Sequence, residues 1–221
     1  MRGRMFRKTE EVRAAARLLI LGLMALCACS PQKTNGTEPT SAPAAKAADG
    51  PFGLVFGEPL SALGPTSPES TPDIYDVLSP PKPDADFNLI AVVAHATTGV
   101  CEISAGQPLI LGDLSGAKVK AAVDQLETVV SSKYGPPKQK FDVCRESASS
   151  CSQAWSEALA NRNAVYGYVW FPAAPTKGGV WRIIADVAAH NALETRAALS
   201  YDGVNHAACD AAAAAAKNSS L

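Results

Sequence analysis

Between Ser115 and Pro137 the apolar positions Val119, Val123, Leu126, Val130 and Tyr134 recur at steps of four, three, four and four, which stacks them on one helical face. Asp113 or Ser115 can cap the start, and Gly135 followed by Pro136 and Pro137 ends the helix. Lys118, Lys120, Asp124 and Glu127 fall on the opposite, solvated side. A helix with one apolar stripe needs a partner layer, and the flanking segments supply strands. Phe87–His95 and Gly99–Ser104 are rich in β-branched residues and joined by the short ATT link, which predicts a hairpin. Its first strand is apolar on both sides and therefore central.

Farther along, NAVYGYVWFP, VWRIIADVAAH and LETRAALSYDG predict three antiparallel strands in a meander. In the first of them Tyr166, Tyr168 and Trp170 share one side, and Val165, Val169 and Phe171 share the other. A second, shorter helix falls near Cys151–Asn161, with Trp155 as its core anchor. Toward the start, FGLVFGEPLSALG predicts an extended segment followed by one or two helical turns from Pro59, and Ile74–Leu78 predicts a short strand in a loop-rich stretch. The expected fold is α+β: an antiparallel sheet with one long amphipathic helix and one shorter helix packed on it.

The N-terminal pattern is of another kind. Arg2, Arg4, Arg7, Lys8, Arg13 and Arg17 precede a nine-residue apolar run, Leu18–Leu26, far short of the roughly 20 residues a membrane-spanning helix requires. That is the layout of an export signal. Its end, Leu26-Cys27-Ala28-Cys29, resembles the lipobox of bacterial lipoproteins. The resemblance implies cleavage after Ala28 and lipidation of Cys29, with Cys27 leaving in the signal. Ser30, rather than Asp, after the cysteine implies an outer-membrane anchor facing the periplasm. The alternatives are plain cleavage, which would give a soluble periplasmic protein, and inner-membrane retention. Each buried CH₂ contributes about 0.8 kcal/mol, so the family's three acyl chains would hold firmly where one holds weakly.

Composition divides the chain accordingly: signal peptide, 1–28; lipidated Cys29 with a Pro-, Ala- and Thr-rich tether, 29–50; one domain, 51–209; and an Ala-rich tail, 210–221. The whole chain carries 20 basic and 21 acidic residues; loss of the segment before Ser30 removes six basic and two acidic ones, leaving 14 against 19. That negative balance argues against nonspecific nucleic-acid binding, so no nucleic-acid partner is expected.

Four cysteines remain, and an oxidising compartment predicts two disulfides. Three pairings are open. Cys144–Cys151 is favoured because RESASS is a short polar loop, and Cys101–Cys209 would then tie the hairpin to the chain's end. No CxxC pair occurs, and His95, His190 and His206 are scattered, so neither a metal nor another cofactor is expected. Nucleophile-elbow, phosphate-loop, dinucleotide and HExxH motifs are absent from the sequence. Asp142 with Glu146, and Glu194 with Asp202, fit surface charges better than an acid–base pair. No catalytic residue is assigned.

Segments PFGLVFGEPLSALG, TTGVCEISA and SSKYGPPKQKFD resemble a group of uncharacterised exported bacterial proteins, which implies a small α+β fold and no established activity. Two function classes stay open. One is a noncatalytic envelope lipoprotein that binds another envelope protein, in assembly or as an inhibitor or immunity factor. The other is a cell-wall or sugar-binding protein or enzyme that uses the Tyr166, Tyr168 and Trp170 face, with Arg182 of the adjacent strand stacked on it. Burial of that row favours the first.

Overall fold

The computed structural model of the chain describes residues 50–219 apart from 70, 174, 175 and 177. The signal peptide, Cys29 and the tether up to residue 49 lie outside the described residues.

Among the described residues nine strands form one antiparallel sheet: β1 (Thr66–Pro68), β2 (Ile74–Val77), β3 (Leu89–His95), β4 (Gly99–Gly106), β5 (Ile110–Leu111), β6 (Gln139–Cys144), β7 (Ala164–Trp170), β8 (Val180–Asn191) and β9 (Glu194–Gly203). Their spatial order is β1-β2-β3-β4-β9-β8-β7-β6, with β5 paired to β9 off that path. The expected hairpin is β3–β4 and the expected meander is β7–β8–β9. Joining them, β4 pairs with β9, so two local units become one sheet through a long-range contact.

Four helices accompany the sheet among the described residues: α1 (Ala117–Tyr134), α2 (Ala148–Gln153), α3 (Trp155–Ala160) and α4 (His206–Ser219). The fold is thus α+β with an antiparallel sheet and four helices, where two helices were expected. The region expected as one short helix divides at Ala154 into α2 and α3. The tail expected from residue 210 continues α4 in an alanine run, which has high helix propensity but no apolar stripe to announce it.

The N-cap position of α1 is Gly116, and both residues expected as caps reach the first-turn N–H groups from upstream of it. Asp113 Oδ2 accepts from Val119 N at 2.9 Å and Ser115 Oγ from Ala117 N at 3.3 Å. Gly116 makes the turn after them at φ 73°, and a Cβ there would overlap the Trp155 ring. The helix lays Val119, Val123, Leu126 and Val130 against β7, β8 and β9, and Trp155 of α3 completes this core. Burying each such aliphatic side chain contributes about 1.5–3 kcal/mol. A second core on the β3–β4 half collects Ile90, Val92, Val100 and Ile103 beneath Leu54 and Leu63. Phe56, Phe87 and Tyr201 pack against both cores and make them continuous.

Candidate functional site

Residues directly opposite in an antiparallel ladder point to the same side, so the register assigns every strand side chain to a face. Trp170 opposes Ile183, and Ile183 opposes Tyr201, which in turn opposes Ile103. Tyr166, Tyr168 and Trp170 therefore belong to the face that α1 and α3 cover, and all three are buried. Their polar ends finish on α1. Asp124 Oδ1 accepts the Tyr166 and Tyr168 hydroxyls at 2.6 and 2.7 Å, and Trp170 Nε1 donates to Gly135 O at 3.1 Å. Burial first, and the Asp124 carboxylate second, hold the Tyr166 phenol well above its usual range. Lys140 lies about 5 Å from both tyrosine rings, 5.0 and 5.1 Å to their centroids. Hydrogen bonding to Tyr168 and then Tyr166 raises its ammonium above the ordinary lysine range. The row is a satisfied core feature. Asp124, expected on the solvated side of α1, is the residue that satisfies it.

Arg182 does not join that row. It opposes Asp202, one position out of phase with Ile183, and so lies on the other face. The register shift between Val180 and Arg182 leaves Trp181 as an extra residue, and the Arg182 guanidinium lies 5.3 Å from the Trp181 ring. A second shift, between Val93 and Ala94, leaves Cys101 extra beside Glu102. Two bulges thus flank a cross-strand row in which Glu102 of β4, Asp202 of β9 and Arg182 of β8 stand side by side.

This row is closed to solvent: Glu102 is 3% and Asp202 1% exposed. Arg182 is ion-paired to Asp202. One step along the strands, Ser104 Oγ donates to Glu102 Oε1 at 2.9 Å and lies 3.1 Å from Ser200 Oγ. The cover comes from α4. Its first residue, His206, places Nδ1 at 3.7 Å from Asp202 Oδ1 and Nε2 at 3.7 Å from Asp210 Oδ2. Asn205 Nδ2 donates to Thr98 O and Val100 O, both at 3.0 Å. Cys101 and Cys209 form a disulfide, with the Thr98 hydroxyl 3.0 Å from Cys209 Sγ and 3.5 Å from Cys101 Sγ. The bulge is what permits that bond, because it turns Cys101 toward α4 beside Glu102.

Beyond the reach of α4 the same face opens. Phe171 and Trp181 lie with ring centroids 5.6 Å apart and planes tilted by 42°, and are 45% and 37% exposed. Behind this exposed aromatic pair lies the Arg182 guanidinium, its side chain 14% exposed, and behind that the buried carboxylate row. The other cysteine pair, Cys144–Cys151, is also at disulfide distance and joins β6 to α2. His95 and His190 lie at strand ends near single carboxylates, Asp73 at 3.2 Å and Glu194 at 3.7 Å.

Sequence reasoning set Asp202 among surface charges and gave Glu102, Trp181 and His206 no role. Glu102 and Ser104 alternate with Ile103 and Ala105 as they would in a strand with one wet face, and only the distant α4 makes that face dry. Among the described residues no three His, Cys, Asp or Glu side chains are placed to hold a metal ion, and no helix is long and apolar enough to cross a membrane. No protein-family model, curated protein or solved structure matches the chain.

Proposed function

We propose that the chain is a noncatalytic envelope lipoprotein, anchored through Cys29 to the outer membrane and facing the periplasm, whose domain binds another envelope protein. The observation that carries the binding role is the exposed Phe171–Trp181 pair with Arg182 against it. Aromatic residues and arginine dominate the energetics of protein interfaces. Here the Trp181 bulge presents the aromatic pair from a rigid sheet, with Arg182 held behind it by Asp202. Preorganisation of this kind reduces the entropy lost on binding. The disulfides and the export signal suit an oxidising compartment, which supports the periplasmic setting.

The sugar-binding alternative needs an open aromatic platform, and the Tyr166–Trp170 row is closed beneath α1. The exposed pair is where such a ligand would have to stack. A photo-crosslinker in place of Phe171, used in intact cells, separates the two. The expected result is one discrete protein adduct that disappears with Trp181→Ala. Quenching of Trp181 fluorescence by cell-wall glycan, with no protein adduct, would transfer the proposal to the alternative. For the anchor, an acyl mass on Cys29 and release from the membrane fraction by Cys29→Ala are expected.

A further inference from the structure

The two edges of the sheet differ in how they are finished. At one, β1 has three residues and ends in Pro68, which has no N–H to offer a further strand. At the other, β6 has six residues, QKFDVC, and no proline. Lys138 N donates to Val169 O at 2.8 Å and Arg145 N to Asn163 O at 2.7 Å, bracketing a register that runs from Gln139 opposite Val169 to Val143 opposite Val165. Arg145 opposite Asn163 continues that register and puts the odd-numbered residues in the hydrogen-bonded pairs with β7, while Lys138, one position before the register, donates to the carbonyl that Gln139 faces. The N–H and C=O groups of Lys140, Asp142 and Cys144 then point away from the sheet. Among the described residues no other strand pairs with β6.

Charges on an edge strand ordinarily repel an incoming strand. Here their spacing is self-complementary. We propose that β6 pairs antiparallel with β6 of a second copy of this chain, about a two-fold axis at Phe141, so that two nine-stranded sheets become one. In that register Lys140 stands opposite Asp142 of the second copy, twice by symmetry, as an outward hydrogen-bonded pair. Phe141 meets Phe141, and the exposed Val143 is covered by Gln139. Moving the axis by one residue, to Asp142, would set two carboxylates face to face. The charge pattern therefore selects one register and disfavours strands that lack it. Pro136 and Pro137 limit the pairing to the segment that follows them. This inference concerns an edge that the proposed Phe171–Trp181 surface does not include.

The test uses the full chain with benzoylphenylalanine in place of Phe141, illuminated in intact cells and after purification. A covalent product of twice the chain mass, linked through position 141 in both copies, is expected. Lys140→Asp should weaken self-association by about tenfold, because both symmetric attractions become repulsions. The double variant Lys140→Asp/Asp142→Lys should restore it. Lys140 also meets the Tyr166 and Tyr168 rings and Asp142 the Lys120 ammonium at 3.4 Å, so melting temperatures should fall modestly in both variants while only the single variant loses self-association, which separates the effect from misfolding. Absence of the homodimer product, a product with a different protein at position 141, or a double variant that stays as weak as the single one would each overturn the proposal.

Discussion

On the face bearing Tyr166, Tyr168 and Trp170, the sheet meets α1 and α3 through close-packed apolar and aromatic groups; on the face bearing Glu102, Asp202 and Arg182, it meets α4 through charges and a disulfide. Each strand contributes to both faces by alternation, so the difference lies in what covers them. Burial of apolar area drives the first contact and needs no exact partner. The second contact removes charges from water, which is favourable only when partners are positioned, and here two bulges and a covalent bond position them. A covered face can thus be assembled by packing or by fastening, and the fastened one leaves an aromatic pair uncovered beside it.

The largest expected effect comes from undoing the fastening. Replacing Cys101 and Cys209 together by Ser opens a bridge with a sequence separation of 108 residues. The chain-entropy relation gives about 4–5 kcal/mol for that loop, against about 2.5 kcal/mol for Cys144–Cys151 with a separation of 7. Urea unfolding of the two double variants should rank them in that order. On the packed face Trp155→Ala should cost about 4 kcal/mol by cavity formation, measured in the same way.

Next, Asp202→Ala leaves the Arg182 guanidinium against the sheet without its carboxylate and should cost about 3 kcal/mol. The Arg182→Leu/Asp202→Leu variant should recover most of that loss. If the double variant were instead the less stable one, the row would be contributing net stability and the contrast between the faces would narrow.

The smallest effect is a pH dependence. Tyr166 and Tyr201 have phenols raised above the ordinary value of 10.0, through burial first in each case. The folded chain keeps protons that the unfolded chain releases above about pH 10, so their contribution is fully present below that pH and is lost as pH rises beyond it. Alkaline melting should therefore steepen above pH 10. Tyr166→Phe should flatten that loss, and at neutral pH it should cost about 1 kcal/mol for the missing hydrogen bond to Asp124.

The same contrast explains which parts of the fold the sequence makes legible. The α1 stripe, the β3–β4 hairpin and the β7–β9 meander are visible because their apolar periodicity is local and answers to a packed face. The fastened face leaves no such trace: Glu102 and Asp202 alternate with apolar neighbours as solvent-facing residues do, and only a helix about 100 residues from Glu102 makes them buried. β6 escapes notice because an edge strand with Lys140 and Asp142 has no apolar run. The phase of Arg182 depends on a bulge at Trp181 that no local signal marks.

The Cys101–Cys209 bond also makes a closed covalent ring of everything from β4 to the start of α4. A single peptide cleavage anywhere between those two cysteines, at the Pro136–Pro137 connection for instance, leaves both fragments attached. A nicked molecule would keep its C-terminal piece with whatever holds its N-terminus, and would separate into two bands only after reduction.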